Sequence, residues 1–257
     1  MRFGCCTTID NAPAVIDAGY DFIELAVGPH LMPEAPDREW APVRTTIEKA
    51  GIQPAAFNVM VPASIKITGP DASPERLRRY VNTVFHRASL LGGEVVVFGS
   101  GGARSVPDGF PREQAWQQLV QFVRWAGDAA LAAGMTLVIE PLNQGESNVL
   151  NSIPEAIELA EAASHPAVQV LADLYHIMVD EEPIDDVLAA GSRLRHVHVA
   201  DSERLYPGSG SYPYPAFFGA LKQIGYDRAI SVECRWGDFE KECAEALAFL
   251  RKTWDEA

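Results

Sequence analysis

The sequence predicts a single (β/α)8 barrel over residues 1–257, and three observations carry that reading. Eight short apolar runs alternate with segments of helical periodicity. A chain of 257 residues, 47% of them hydrophobic, suits one large core, and no Ser/Gly/Pro-rich linker divides it. Glu140, Asp173, His198 and Glu233 each end an apolar run. If those runs are consecutive parallel strands of a closed barrel, the four side chains meet in one place.

The strand-like runs lie near residues 2–6, 21–27, 53–59, 94–98, 135–140, 168–173, 194–200 and 229–234. A short helix is expected near 11–18, with others over 38–50, 74–91, 112–133, 154–164, 184–190, 215–224 and 239–253. Ser73-Pro74 opens one of them, with Arg76 where a capping box would place an acid; Ser152-Ile153-Pro154-Glu155 has its acid in place. Gly19, Gly51, Gly134 and Gly225 fall where helices give way to strands, positions that tolerate left-handed backbone. After the second strand, AVGPHLMPEAPD reads as a proline-rich lid. Gly99, Gly101 and Gly102, after the fourth, are expected to shape a loop for conformational reasons, with close approach to a ligand as the alternative.

Composition narrows the partners. Thirty-five acidic residues against 21 basic ones give a net charge of -14. That field repels phosphate backbones and anionic membranes, so neither nucleic acid nor a membrane surface is an expected partner. No GxGxxG or GxxxxGK[ST] motif opens a helix after the first strand. Four cysteines lack the density of a disulfide scaffold or thiolate cluster, and no 18-residue apolar run occurs. A cytoplasmic protein is expected.

Alternation along a strand decides which side chains face the barrel axis. In RLRHVHVAD, His196 and His198 share one face and Val197 and Val199 the other; in AISVEC, Ser231 and Glu233 oppose Ile230 and Val232. The β-branched residues suit the helix-covered outside, which leaves the polar pairs inside. A buried charge needs compensation, and a divalent ion at the carboxyl-terminal mouth supplies it. Three carboxylates and one imidazole form a mostly hard donor set, better matched to Mn2+, Mg2+ or Co2+ than to a thiolate-bound zinc. Taken singly, each residue also has an ordinary structural explanation; their intervals of 33, 25 and 35 residues argue for a shared one.

Others gather at the same mouth. Glu146 is a candidate for holding a substrate hydroxyl or a water, or else a solvated loop carboxylate. His176 and Arg204 could orient developing negative charge on oxygen, or merely pack and solvate. His196, deeper in the barrel, suits a supporting or core role better than a ligand role. His86 and His165 lie in or beside helices and need no catalytic explanation.

Five stretches carry a resemblance: VVVFGSGGARSVPDGF (95–110), IEPLNQGESNVLNS (139–152), LADLYHIMVDEEP (171–183), HVHVADSERLYPGSGSYPYPAFFGALKQIGY (196–226) and SVEC (231–234). They span the latter two-thirds of the barrel. The chain resembles the xylose-isomerase-like (β/α)8 superfamily of sugar isomerases and epimerases, most closely the ketose 3-epimerases, with hydroxypyruvate isomerase nearby. The resemblance implies Glu140, Asp173, His198 and Glu233 as ligands of a divalent ion, usually manganese. It implies Glu146, His176 and Arg204 as substrate contacts. It also implies a small sugar substrate and a homo-oligomer, dimer or tetramer, with Trp236 either near the partner subunit or packed locally. Hydroxypyruvate isomerases often have glutamine where this chain has His198, and EPLNQGE is closer to the epimerases. The Ser-Tyr-Pro-Tyr turn at 211–214 and the lid depart from the pattern and bear on substrate choice.

The expected activity is therefore metal-dependent 3-epimerisation of a ketose through an enediolate, with Glu140 and Glu233 as the catalytic pair on opposite substrate faces. Aldose-ketose or hydroxypyruvate-type isomerisation shares that intermediate and remains open. So do a metal-dependent lyase, such as a subunit that cleaves C-glycosides, and a sugar-binding barrel without catalysis.

Overall fold

The computed structural model describes residues 1–257. Eight parallel strands close on themselves in chain order: β1 (Arg2–Cys6), β2 (Phe22–Ala26), β3 (Pro54–Asn58), β4 (Val95–Phe98), β5 (Thr136–Ile139), β6 (Val168–Asp173), β7 (Leu194–Val199) and β8 (Ala229–Val232). Each expected run forms a strand, and β8 pairs with β1 through Phe3↔Ile230 and Cys5↔Val232. Closure leaves no edge strand, so backbone donors and acceptors find partners all round.

The helices are α1 (Ala12–Ala18), α2 (Val27–Leu31), α3 (Asp37–Glu48), α4 (Pro74–Leu90), α5 (Gly101–Arg104), α6 (Arg112–Ala132), α7 (Ile153–Ala163), α8 (Leu174–Val179), α9 (Asp186–Ala190), α10 (Tyr214–Gln223) and α11 (Phe239–Glu256). None is long and apolar enough to cross a membrane. Gly19, Gly51, Gly134 and Gly225 all have positive φ, as their positions after helices require. The Ser152 hydroxyl accepts from Glu155 N at α7, but the Glu155 carboxylate accepts from Asn151 N, one residue before the expected box partner. At α4, where the acid is missing, Ser73 still caps, and the Arg76 side chain turns away to pair with Glu34.

Residues 26–37 are a clamped turn. Buried Arg87 of α4 donates to the carbonyl oxygens of Leu31, Met32 and Ala35 and to Asp37, while its guanidinium stacks on Trp40. The bond to Leu31 O satisfies a carbonyl at the end of the short α2 that has no donor within the helix.

Alternation sets the layers. Ile23, Leu25, Val96, Leu137, Val170, Val197 and Ile230 pack outward into the apolar layer beneath the helices. Phe22, Ala55, Ala56 and Ala229 pack together at one level within the barrel, and Val97, Val138 and Leu171 at another. Between β6 and β7 the register shifts from Val170↔Leu194 to Leu171↔His196, skipping Arg195. This bulge lets Leu194 join the outer layer while His196 and His198 turn inward.

Candidate active site

The carboxyl-terminal ends of four neighbouring strands bring Glu140, Asp173, His198 and Glu233 together, with one ligand atom from each inside a mutual distance of 4.8 Å. Glu140 and Glu233 follow the last residues of β5 and β8; Asp173 ends β6, and His198 lies level with it through the Asp173↔His198 pairing. His198 Nδ1 is 3.1 Å from Glu140 Oε1 and 3.7 Å from Glu233 Oε2.

Their environments differ. Burial pushes the Glu140 and Asp173 carboxyls above the ordinary carboxylate range, with neighbouring acids adding to the effect. Burial acts the same way on Glu233, but the charges of His198 and Arg204 outweigh it and hold that carboxyl down at about 2. Burial would lower His198, yet Glu24 and Glu233 raise it well above the usual imidazole value.

Asp173 Oδ1 accepts from Tyr175 N and so caps α8, whereas its buried Oδ2 has no partner. His176 Nε2 is likewise unpartnered, 3.6 Å from that oxygen and beyond good hydrogen-bonding distance. An orphaned carboxylate oxygen beside two further carboxylates and an imidazole suits a hard divalent cation. The donor set fits such an ion.

The other expected residues converge as well. Arg204 donates to Glu233 Oε2 at 2.8 Å and to exposed Glu146 Oε1 at 2.9 Å, and its guanidinium lies over the Tyr175 ring. Glu233 therefore pairs with Arg204, not with its chain neighbour Arg235. His176 Nδ1 accepts from Asn143 N at 3.2 Å, which orients the ring toward the cluster. His196 stands outside the cluster, bonded to Glu24. His86 is exposed, and His165 faces Asp128 at 3.3 Å. Trp236 is half-buried, donating to Cys6 O and packing edge-on to Phe239.

The glycines after β4 have a different role from the one expected. Neither Gly99 nor Gly101 has positive φ; both make room. A Cβ on Gly99 would lie 2.1 Å from Glu140 Oε2, and one on Gly101 would lie 2.5 Å from Glu146 O.

Sequence reasoning missed Glu24, Asn58 and Arg104. Glu24 is completely buried and contacts both His196 and His198; its signal was a lone acid inside the apolar run FIELA. Asn58, the last residue of β3, donates to Glu233 Oε1 at 2.9 Å. Fully buried Arg104 donates to the carbonyls of Phe98, Glu140 and Leu150, bracing the segment that carries Glu140. A cavity of about 500 Å³ opens at the opposite, amino-terminal end of the barrel, lined by Arg2, Glu94, Arg195, His196 and Arg228. None of the four clustered residues lines it, and barrel enzymes do their chemistry at the other end.

Fold and site together define a (β/α)8 enzyme with a buried carboxylate–imidazole centre at its carboxyl-terminal mouth. Residues 13–253 match the xylose isomerase-like TIM barrel family, and the chain belongs to that family. L-ribulose 3-epimerase from Methylomonas sp. (strain DH-1) is 28% identical over 248 residues, 93% of this chain and 83% of the relative. D-psicose 3-epimerase from Ruminiclostridium cellulolyticum is 31% identical over 119 residues, 46% of this chain and 41% of the relative. In structure, the D-psicose 3-epimerase from Clostridium cellulolyticum H10, solved with D-tagatose, is similar with a TM-score of 0.83 at 22% identity, covering 99% of each chain. That last likeness shows the shared fold.

Proposed function

We propose that the protein is a divalent-metal-dependent ketose 3-epimerase. The observation that carries the reading is the meeting of Glu140, Asp173, His198 and Glu233 within 4.8 Å, in a chain similar to named 3-epimerases. These four residues would hold the ion, and their mostly hard donor set suits Mn2+, Mg2+ or Co2+, of which we take Mn2+ on the family resemblance. When bound, the ion supplies polarisation of the substrate carbonyl.

The remaining work belongs to the side chains. Glu233, held by Asn58 and Arg204, takes the proton from C3 of the ketose. Glu140, reaching the same point from β5, returns a proton to the other face and inverts C3. The reverse reaction exchanges the two roles. Arg204 and His176 face the developing negative charge on the substrate oxygens, and Glu146, already in contact with Arg204, receives a substrate hydroxyl. Two proton-transfer groups suit inversion, since return to the same face needs only one. We place the enzyme in the cytoplasm, where four cysteines without a disulfide are at ease, and expect a dimer or tetramer.

The test is product analysis. Mn2+-loaded protein is incubated with D-psicose, D-tagatose and L-ribulose, and the sugars are separated and identified by NMR. Interconversion of C3 epimers supports the reading. Aldoses as the main products would move the assignment to 1,2-isomerisation, and unchanged sugars across the panel would remove it.

A further inference from the structure

One charged side chain inside the barrel has no part in the reaction just proposed. Glu24 of β2 is completely buried and reaches two histidines of β7, a strand separated from its own by β1 and β8. Its Oε1 lies 2.8 Å from His198 Nε2, and its Oε2 lies 2.8 Å from His196 Nε2. A carboxylate can only accept, so both imidazoles donate to it through Nε2–H. With that proton on Nε2, the free lone pair of His198 is on Nδ1. Nδ1 is also the nitrogen facing the cluster, near Glu140 Oε1 and Glu233 Oε2.

We propose that Glu24 is a positioning residue: by accepting from His198 Nε2, it locks the ring orientation and tautomer that present Nδ1 to the metal ion. The inference rests on the metal-dependent reading above and deepens it.

Three observations favour this role over ordinary burial of a charge. Glu24 and His198 are both wholly shielded from solvent, so the pair gains little that apolar residues of similar volume could not supply as stability. Both nitrogens of His198 face carboxylates, and only one can keep a proton while the other binds an ion. Glu24 is itself fixed: His196 occupies its second oxygen, and the Ser231 hydroxyl lies 3.2 Å from the same His196 nitrogen. Rotating the carboxylate away from His198 would therefore break the contact with His196 too. Carboxylates that hold ligand histidines in this way typically contribute 10- to 100-fold to metal affinity.

The experiment has two arms. In the first, wild-type protein labelled with 15N-histidine is loaded with Zn2+, a diamagnetic probe, and its two-bond 1H–15N correlations are recorded. His198 is expected to show a protonated Nε2 and a metal-shifted Nδ1; a metal-shifted Nε2 overturns the inference. In the second, Mn2+ affinity of wild type and Glu24→Gln is measured by titration with EPR detection, alongside the melting temperature of each metal-free protein. The amide keeps the side chain's shape but has one accepting oxygen for two donors, so affinity should fall about 10- to 100-fold. A folded variant binding Mn2+ within twofold of wild type overturns the inference and leaves the metal site standing. A wild type that binds neither ion overturns the metal-dependent reading and the inference with it. The first arm needs no variant, so poor folding of Glu24→Gln does not protect the idea.

Discussion

Replacing Gly99 with alanine separates function from folding at a single carbon atom. The added Cβ would sit 2.1 Å from Glu140 Oε2, and ordinary contact begins near 3.4 Å, so the carboxylate must retreat by about 1.3 Å. Glu140 cannot move far without losing its 3.1 Å contact to His198 Nδ1, because Arg104 anchors the Glu140 carbonyl at 2.8 Å. A misplacement of about 1 Å in a catalytic group can cost on the order of 10²-fold, or about 2.7 kcal/mol of transition-state stabilisation. Gly99 has no left-handed backbone to protect, so alanine carries no conformational penalty there and should restrict the unfolded chain by about 0.4–1 kcal/mol in favour of folding. The expected variant is folded, melts close to wild type, and has lost about 10²-fold in kcat/KM for the preferred ketose, with weaker Mn2+ binding. Activity within about threefold of wild type would refute the claim that Glu140 must occupy its observed position. So would activity lost only in step with unfolding.

Three further outcomes follow from the same geometry. Glu233→Gln should retain the wild-type circular dichroism spectrum and lose about 10²–10⁴-fold in turnover, as expected for a missing proton-transfer group; unchanged turnover removes Glu233 from the mechanism. Arg104→Leu removes the donor to Glu140 O, while Phe98 O and Leu150 O keep Glu140 N and Leu142 N; one orphaned carbonyl, at about 1–3 kcal/mol, should lower the melting temperature by roughly 2 °C or more, read by calorimetry. Glu182, pushed up to about 7 by burial and by Asp186, holds its proton more tightly folded than unfolded. Its contribution to stability is complete below about pH 4.5 and is lost as the pH rises through 7. Glu182→Gln keeps an acceptor for Ile153 N, so it should melt higher than wild type at pH 8 and level with it below about pH 4.

Much of this architecture was legible because strand signals and helix punctuation agreed. The β-branched partners of His196, His198, Ser231 and Glu233 revealed which face was inside, and chain order did the rest. Other features depend on approaches that no local pattern encodes. Helices α2, α5 and α8 have only 5, 4 and 6 residues, too short to show a helical period. The segment read as a lid is pinned by Arg87, whose partners lie 50 to 56 positions away. Gly99 looked like a turn glycine because its purpose, space for Glu140, exists only after β4 and β5 pair. Glu24 lies within β2, beneath the cluster, and not at a strand end like the four residues above it. Its one local signal is an acid set among Phe22, Ile23 and Leu25, a buried charge that needs a partner.

The most direct measurement follows the carbon-bound proton. Mn2+-loaded protein is mixed with a ketose that it converts, in deuterated water, and the position and configuration of the incorporated deuterium are read by NMR. Proton transfer at C3 by Glu140 and Glu233 requires deuterium at C3 of the inverted sugar, and none in a control stripped of metal. Deuterium confined to C1, conversion without any label, or full exchange after exhaustive metal removal would contradict it.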